Sequence, residues 1–263
     1  MGEAKRKLTR NRLHLTKHPL CVYCGGNAQG TQVDHAPPIA IFSLKKRPQG
    51  LEFSACADCH EGTRKLDLVA AVMSRIYPDF GGELEREEIG KLITGLARNV
   101  PTMGAELSRM IGTGSDFEAS LSAKLQRPVH ALRIGPPLHA ALEAFTARMG
   151  LALHYELTGR ILPESGAVAV RVFFNAEAIS DGLPEEVLAL FKSPRALRQK
   201  GLMAHKEFQW DWAFDSEDNA SVSFCTFRQS FATLAICAEN EDFMGDEIAD
   251  QLFRPGFLSG LPL

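Results

Sequence analysis

No stretch of this chain approaches the run of about 18 apolar residues that a membrane-spanning helix needs, so no membrane partner is expected. The basic opening MGEAKRKLTRNR leads into no apolar segment, which speaks against an ordinary secretory leader and for a cytoplasmic protein. Cysteine is sparse: six residues in 263 are too few for a secreted disulfide scaffold, which would also be shorter. There is no internal repeat and no low-complexity tract. An overall positive charge is also missing, since the formal net charge is -3, which argues against general nucleic-acid binding by the chain as a whole.

What is present is unevenly distributed. Residues 1–65 hold 11 Lys+Arg against 5 Asp+Glu, and the remainder holds 18 against 27. A basic head on an acidic body can steer a polyanion to one end, although a solvated basic terminus has the same composition. With 45% hydrophobic residues the chain can build a substantial core.

The text reads as an α+β protein in two parts: a zinc-stapled unit over residues 1–80, then a helical middle and an α+β portion with an antiparallel sheet over 81–263. Residues 1–18 suit a short helix or a loose arm. Short strands are expected at Thr31–Asp34 and Leu51–Ala55. A helix is expected from Ala57 to Ile76, where Leu66, Val69, Met73 and Ile76 make one apolar stripe, stopped by Pro78 and Gly81-Gly82. Further helices are expected at 84–97, from Pro101 to Ile111, at 116–126 after the breakers Gly112 and Gly114 with Ser115 as cap, from Pro137 to Leu157, and at Pro184–Phe191. AVAVRVFFNAE, EFQWDWAF, ASVSFCTF and ATLAICAE read as strands, with DSEDNA as a turn and the final PGFLSGLPL as irregular chain.

Four cysteines form two C-x2-C pairs, Cys21/Cys24 and Cys56/Cys59. Two such pairs supply the four thiolates of a tetrahedral site, and a soft, redox-inert ion such as Zn²⁺ fits them. Iron in a four-sulfur site and a redox pair are the alternatives. A unit of this size buries little apolar surface, so the ion would set its local fold. Cys225 and Cys237 stand in strand-like apolar text and read as core thiols.

Between the cysteine pairs lies Val33-Asp34-His35-Ala36-Pro37-Pro38, and His60 directly follows Cys59. Adjacent residues on a strand face opposite sides, so Asp34 and His35 need a bend or a partner from across to share a site. C-x2-C, D-H-x-P and C-x2-C-H together resemble the zinc-containing HNH endonucleases, over about residues 18–68. The resemblance implies a ββα-metal fold and hydrolysis of phosphodiester bonds in DNA. It implies His35 as the base that activates water, Asp34 and His60 as ligands of a catalytic Mg²⁺ or Mn²⁺, and the four cysteines as ligands of a structural Zn²⁺. Where the family carries a middle Asn, this chain has Leu51, with Glu52 beside it and the amide of Gln49 nearby.

Lys45, Lys46 and Arg47 lie in the loop between the short strands. Arg64 and Lys65 lie one helical turn past His60, and Lys5, Arg6, Lys7, Arg10 and Arg12 precede the cysteines. All can contact phosphates, and Arg64 is the preferred contact, although Glu61 or Asp67 could pair with it instead. DNA is the expected partner, with RNA and a homodimer as further options. The reading from another class is a non-catalytic, zinc-dependent nucleic-acid-binding or scaffold protein. His130, His139, His154 and His205 are scattered and read as surface or core histidines. Phe208, Trp210 and Trp212 alternate onto one face of a strand, as a packing face would.

Overall fold

The computed structural model describes residues 3–77, 82–109, 116–129, 131–240, 244 and 252–261. The expected stops at Pro78 and Gly81, the helix end at Ile111, the breakers Gly112 and Gly114, the cap Ser115 and His130 lie outside the described residues, as do the side chains of Lys5, Arg6 and Lys7.

The head opens with helix α1 (Glu3–Lys17), the first of the two options for this stretch. The first cysteine knuckle follows, then strands β1 (Gln32–His35) and β2 (Glu52–Ala55), which pair antiparallel with His35 opposite Glu52. Helix α2 (Ala57–Met73) starts from Cys56 as its N-cap. It stops short of Ile76 because the chain tightens: Arg75 and Ile76 donate to Val72 and Met73, three residues back, and the Ser230 hydroxyl takes the carbonyls of Met73 and Ile76. This is a ββα arrangement.

Helices α3 (Glu83–Asn99), α4 (Pro101–Arg109) and α5 (Asp116–Leu125) form the middle. Helix α6 (Pro136–Thr158) follows, with Pro136 in its first turn and Gly159 closing it at φ 70°. Leu138, Leu142, Phe145 and Met149, which recur at helical spacing along one side, are buried, but so is nearly every other face from Ala144 to His154. This helix is wrapped on all sides, which a one-sided stripe does not predict.

After α6 come strand β3 (Ala167–Phe174), helices α7 (Asn175–Asp181) and α8 (Glu185–Leu190), and a small hairpin of β4 (Arg198–Gln199) and β5 (Leu202–Met203). The long strands β6 (Phe208–Asp215), β7 (Ala220–Phe227) and β8 (Phe231–Ala238) follow, and β9 (Leu252–Phe253) comes last. Together with β3 they make an antiparallel sheet in the order β6-β7-β8-β3-β9. The NAE of the expected strand is helix α7 instead: Asn175 turns the chain by bonding to Gln229, and its following residues are helix formers. DSEDNA is the β6–β7 turn. The tail PGFLSGLPL has neither helix nor strand over its described residues 255–261, and just before it Leu252 and Phe253 pair with β3.

Helix α6 lies between this sheet and the head. At Gly150 it approaches the sheet so closely that a Cβ would meet Ala235 at 2.7 Å and Val168 at 3.3 Å. On its other side it reaches the head, so one hydrophobic core runs from Tyr23, Phe53 and Leu66 through Phe145 to Phe227 and Leu258. The core therefore crosses residue 80 without a break.

Candidate metal centre and acid–histidine site

Cys21 and Cys24 sit on a tight knuckle, where Gly25 and Gly26 take φ of 70° and 78° and the Gly26 amide donates back to Cys21. Cys56 and Cys59 occupy the first turn of α2. The four sulfurs lie within 4.8 Å of one another and all four residues are buried. Tetrahedral bonds of about 2.3 Å would place sulfurs about 3.8 Å apart, so the cage matches a metal ion such as zinc. Hydrogen bonding from Cys59 pulls the Cys21 thiol down to about 5. Burial pushes Cys24 up to about 11. Thiolates are the ligands of such an ion, so filling the cage would release the protons of these thiols. Among the described residues this is the only group of three or more Cys, His, Asp or Glu side chains placed to share an ion.

Asp34 is 3% exposed. Its Oδ2 accepts from Tyr23 Oη at 2.6 Å and from Arg148 Nη2 at 2.6 Å and Nε at 3.2 Å. Its Oδ1 faces His60 Nδ1 at 3.5 Å. Burial by itself would raise this carboxyl, but Arg148, together with hydrogen bonds from His60 and Tyr23, holds it well below the ordinary carboxylate range. The first turn of α2 aims His60 back at β1, so the structure brings Asp34 and His60 together. Two ligands on one ion at about 2.1 Å would stand about 3 Å apart, and the observed approach is about half an ångström longer.

His35 sits on the other face of β1. Its carbonyl accepts from Arg148 Nη2 at 2.8 Å. Its ring lies beside Glu52, with Nδ1 4.0 Å from Oε1, and the side chain is 22% exposed. Arg10 of α1 donates to the same Oε1 at 3.0 Å. Glu52, the residue after Leu51, therefore places a carboxylate across the ladder from His35. Leu51 itself is buried at φ 51°.

Arg148 was not legible as part of this site. It is fully buried, stands on α6, and joins Asp34 to Asp67, whose Oδ1 accepts from Nη1 at 2.5 Å. Burial pushes the Asp67 carboxyl up to about 7, with Arg148 opposing and Asp34 adding to the rise. A usable signal did exist: an arginine in the apolar text ARMGLAL has no solvent face and needs buried acid partners.

The basic residues divide. Lys45 and Lys46 are exposed. Arg47 instead closes its own loop, donating to the carbonyls of Pro37, Pro48, Gly50 and Leu51, and burial pulls its pKa down to about 10. Arg64 is exposed and pairs with Glu61 at 2.9 Å, one of the two expected alternatives to a phosphate contact, and Lys65 is half-buried.

Residues near 256 form a wall of the head that the sequence did not suggest. Gly256 donates its amide to the Tyr23 carbonyl, and Leu258 is buried against α2 at Gly62, where a Cβ would be 2.2 Å from the Leu258 carbonyl oxygen. Ser259 Oγ lies 4.0 Å from Cys59 Sγ. No protein-family model matches the chain, and no curated protein or solved structure matches it either.

Proposed function

We propose that this chain is a divalent-metal-dependent endonuclease that hydrolyses phosphodiester bonds in DNA, with a structural Zn²⁺ held by Cys21, Cys24, Cys56 and Cys59. The observation that carries the reading is the 3.5 Å approach of Asp34 Oδ1 to His60 Nδ1, on the ββα frame that also carries His35. Asp34 and His60 would hold the catalytic Mg²⁺ or Mn²⁺, which when bound supplies charge neutralisation at the scissile phosphate. Arg148 and Tyr23 fix one Asp34 oxygen and leave the other turned to His60. The His35 imidazole takes the proton of the attacking water, and Glu52 across the ladder orients the ring and steadies the cation that forms. Lys45 and Lys46 lie in the loop that runs into β2 and suit phosphate contacts.

Zinc-loaded protein is expected to nick supercoiled plasmid in Mg²⁺ or Mn²⁺. His35→Ala is expected to lower that rate about 100-fold or more, with zinc content and melting temperature unchanged. Equal background cleavage by both proteins would sink the enzyme reading.

One observation favours the non-catalytic alternative. The Arg148 cation already occupies half of the Asp34 carboxylate and opposes a second positive charge beside it. In that reading the His60 ring is a hydrogen-bond partner of Asp34 and the head is a zinc-stapled binding module. A metal count separates the two: one tight zinc and no further ion at millimolar Mn²⁺ favours the module, and a second ion lost in His60→Ala favours the nuclease.

A further inference from the structure

Far along the acidic part of the chain, residues 192–206 hold Lys192, Arg195, Arg198, Lys200 and Lys206 and no acidic residue. All five are exposed. The segment is built around the β4–β5 hairpin, whose turn at Lys200-Gly201 takes φ of 47° and 83°. Hairpin turns with positive φ at both central residues match the natural twist of the strands. The base of the hairpin is anchored. Arg195 and Trp210 exchange backbone hydrogen bonds at 2.7 and 3.1 Å, the Arg195 guanidinium lies 4.4 Å over the Trp212 ring, and Asp211 accepts from the Ser193 amide at 2.8 Å. Lys192, Arg198, Lys200 and Lys206 make no ion pair with any described residue.

The hairpin does not stand apart from the head. The Gln199 side-chain oxygen accepts from the Gln49 amide at 3.1 Å, and a Cβ on Gly50 would sit 3.2 Å from Leu197. Gln49 and Gly50 belong to the loop that bears Lys45 and Lys46 and runs directly into β2, where Glu52 faces His35. Two cationic segments distant in sequence therefore form one surface that leads to the acid–histidine site. Glu88, a carboxylate at this loop, is engaged: it accepts from the Leu44 amide at 2.7 Å and lies 3.6 Å from Arg75. The outer strand presents Leu202 and Met203, exposed at 43% and 42%. With Arg198 and Lys200 they line a shallow hollow of about 210 Å³.

We infer that loop 44–50 and the hairpin segment 192–206 form a DNA-binding surface, in which Lys45, Lys46, Lys192, Arg198, Lys200 and Lys206 contact duplex phosphates and Leu202 and Met203 rest against the sugar edges. These six cations make no ion pair with any described residue and sit on two segments joined by the Gln199–Gln49 hydrogen bond, as a backbone-tracking surface requires. A two-stranded ribbon is narrow enough for the major groove of B-form DNA and too wide for that of A-form RNA, which selects DNA over RNA. The surface deepens the nuclease reading by giving the site its substrate channel, yet it makes a binding claim that stands or falls without cleavage.

The test measures fluorescence anisotropy of a short labelled duplex DNA over a salt series, in a His35→Ala background so that the probe stays intact. Arg198→Gln/Lys200→Gln is expected to weaken binding about 10-fold and to lower the salt slope by about 2, near 0.9 for each phosphate that is no longer neutralised. Lys45→Gln/Lys46→Gln is expected to do the same, and provides a second reading should the hairpin variant misfold. Unchanged affinity in both variants overturns the proposal. So does tighter binding to duplex RNA, or to anionic phospholipid vesicles, than to duplex DNA. Binding that follows these expectations in a protein that never cuts DNA would overturn the nuclease reading and leave this surface in place.

Discussion

At the scale of single residues, Arg148 is the contact on which the head depends. A fully buried guanidinium satisfies Asp34, Asp67 and the His35 carbonyl at once, and burial leaves no water to replace it. Such a group adds little net stability against an apolar replacement of all partners, yet removing one partner alone strands the others. Arg148→Met is expected to lower unfolding free energy by about 3–5 kcal/mol, because the buried Asp34 and the half-buried Asp67 both lose their counter-charge. Urea unfolding of the zinc-loaded protein measures this, and a loss below about 1 kcal/mol would show that the carboxylates simply take up protons. Restoring a neutral pair with Arg148→Met/Asp34→Asn is expected to recover part of the loss, since stranded charge rather than lost volume is the cause.

At the scale of elements, α6 explains both what sequence conveys and what it withholds. Its start, expected at Pro137 and found at Pro136, and the spacing that sets Leu138, Leu142, Phe145 and Met149 on one side are local properties and were legible to within a residue. Burial of its opposite face depends on the head and the sheet arriving from either side, and no local pattern encodes that. Gly150 marks the closest approach. Gly150→Ala is expected to cost about 1–3 kcal/mol through overpacking against Ala235, even though alanine favours helix by about 1 kcal/mol. A thermal melt measures it, and a stabilised variant would show that helix and sheet separate freely there. The same contrast holds at the site. The cysteine knuckles and the Asp34–His60 pair follow from spacing and from the direction of the first turn of α2. The Asp34–Arg148 contact joins residues 114 positions apart and had no spacing to reveal it. The basic hairpin was missed for another reason: its charge is diluted by the acidic residues around it, and only the fold sets it beside loop 44–50.

At the scale of the molecule, the division at residue 80 describes sequence text better than it describes packing. The head shares a core with α6, the sheet and Leu258, so an ion in the cysteine cage would hold it jointly with these neighbours. Chelating the metal is expected to open residues 19–36 and 51–60 first, because Cys21 and Cys56 anchor the knuckle and the start of α2, while strands β6 to β8 stay closed in their own ladder. Hydrogen exchange followed by peptide mapping reads this order. Simultaneous opening of head and sheet would mean that the ion is the keystone of the whole chain.

The segment that lies over the knuckle bears on timing. Tyr23 awaits the amide of Gly256, Gly62 fits under Leu258, and Asp34 awaits a guanidinium from α6. A ribosome releases the first cysteines long before it has made any of these. The head is therefore completed only after residues 148 and 256–258 have been made, and until then a nascent chain carries it half-built. Whatever chemistry the head performs would wait until the segment around residue 258 has docked on it.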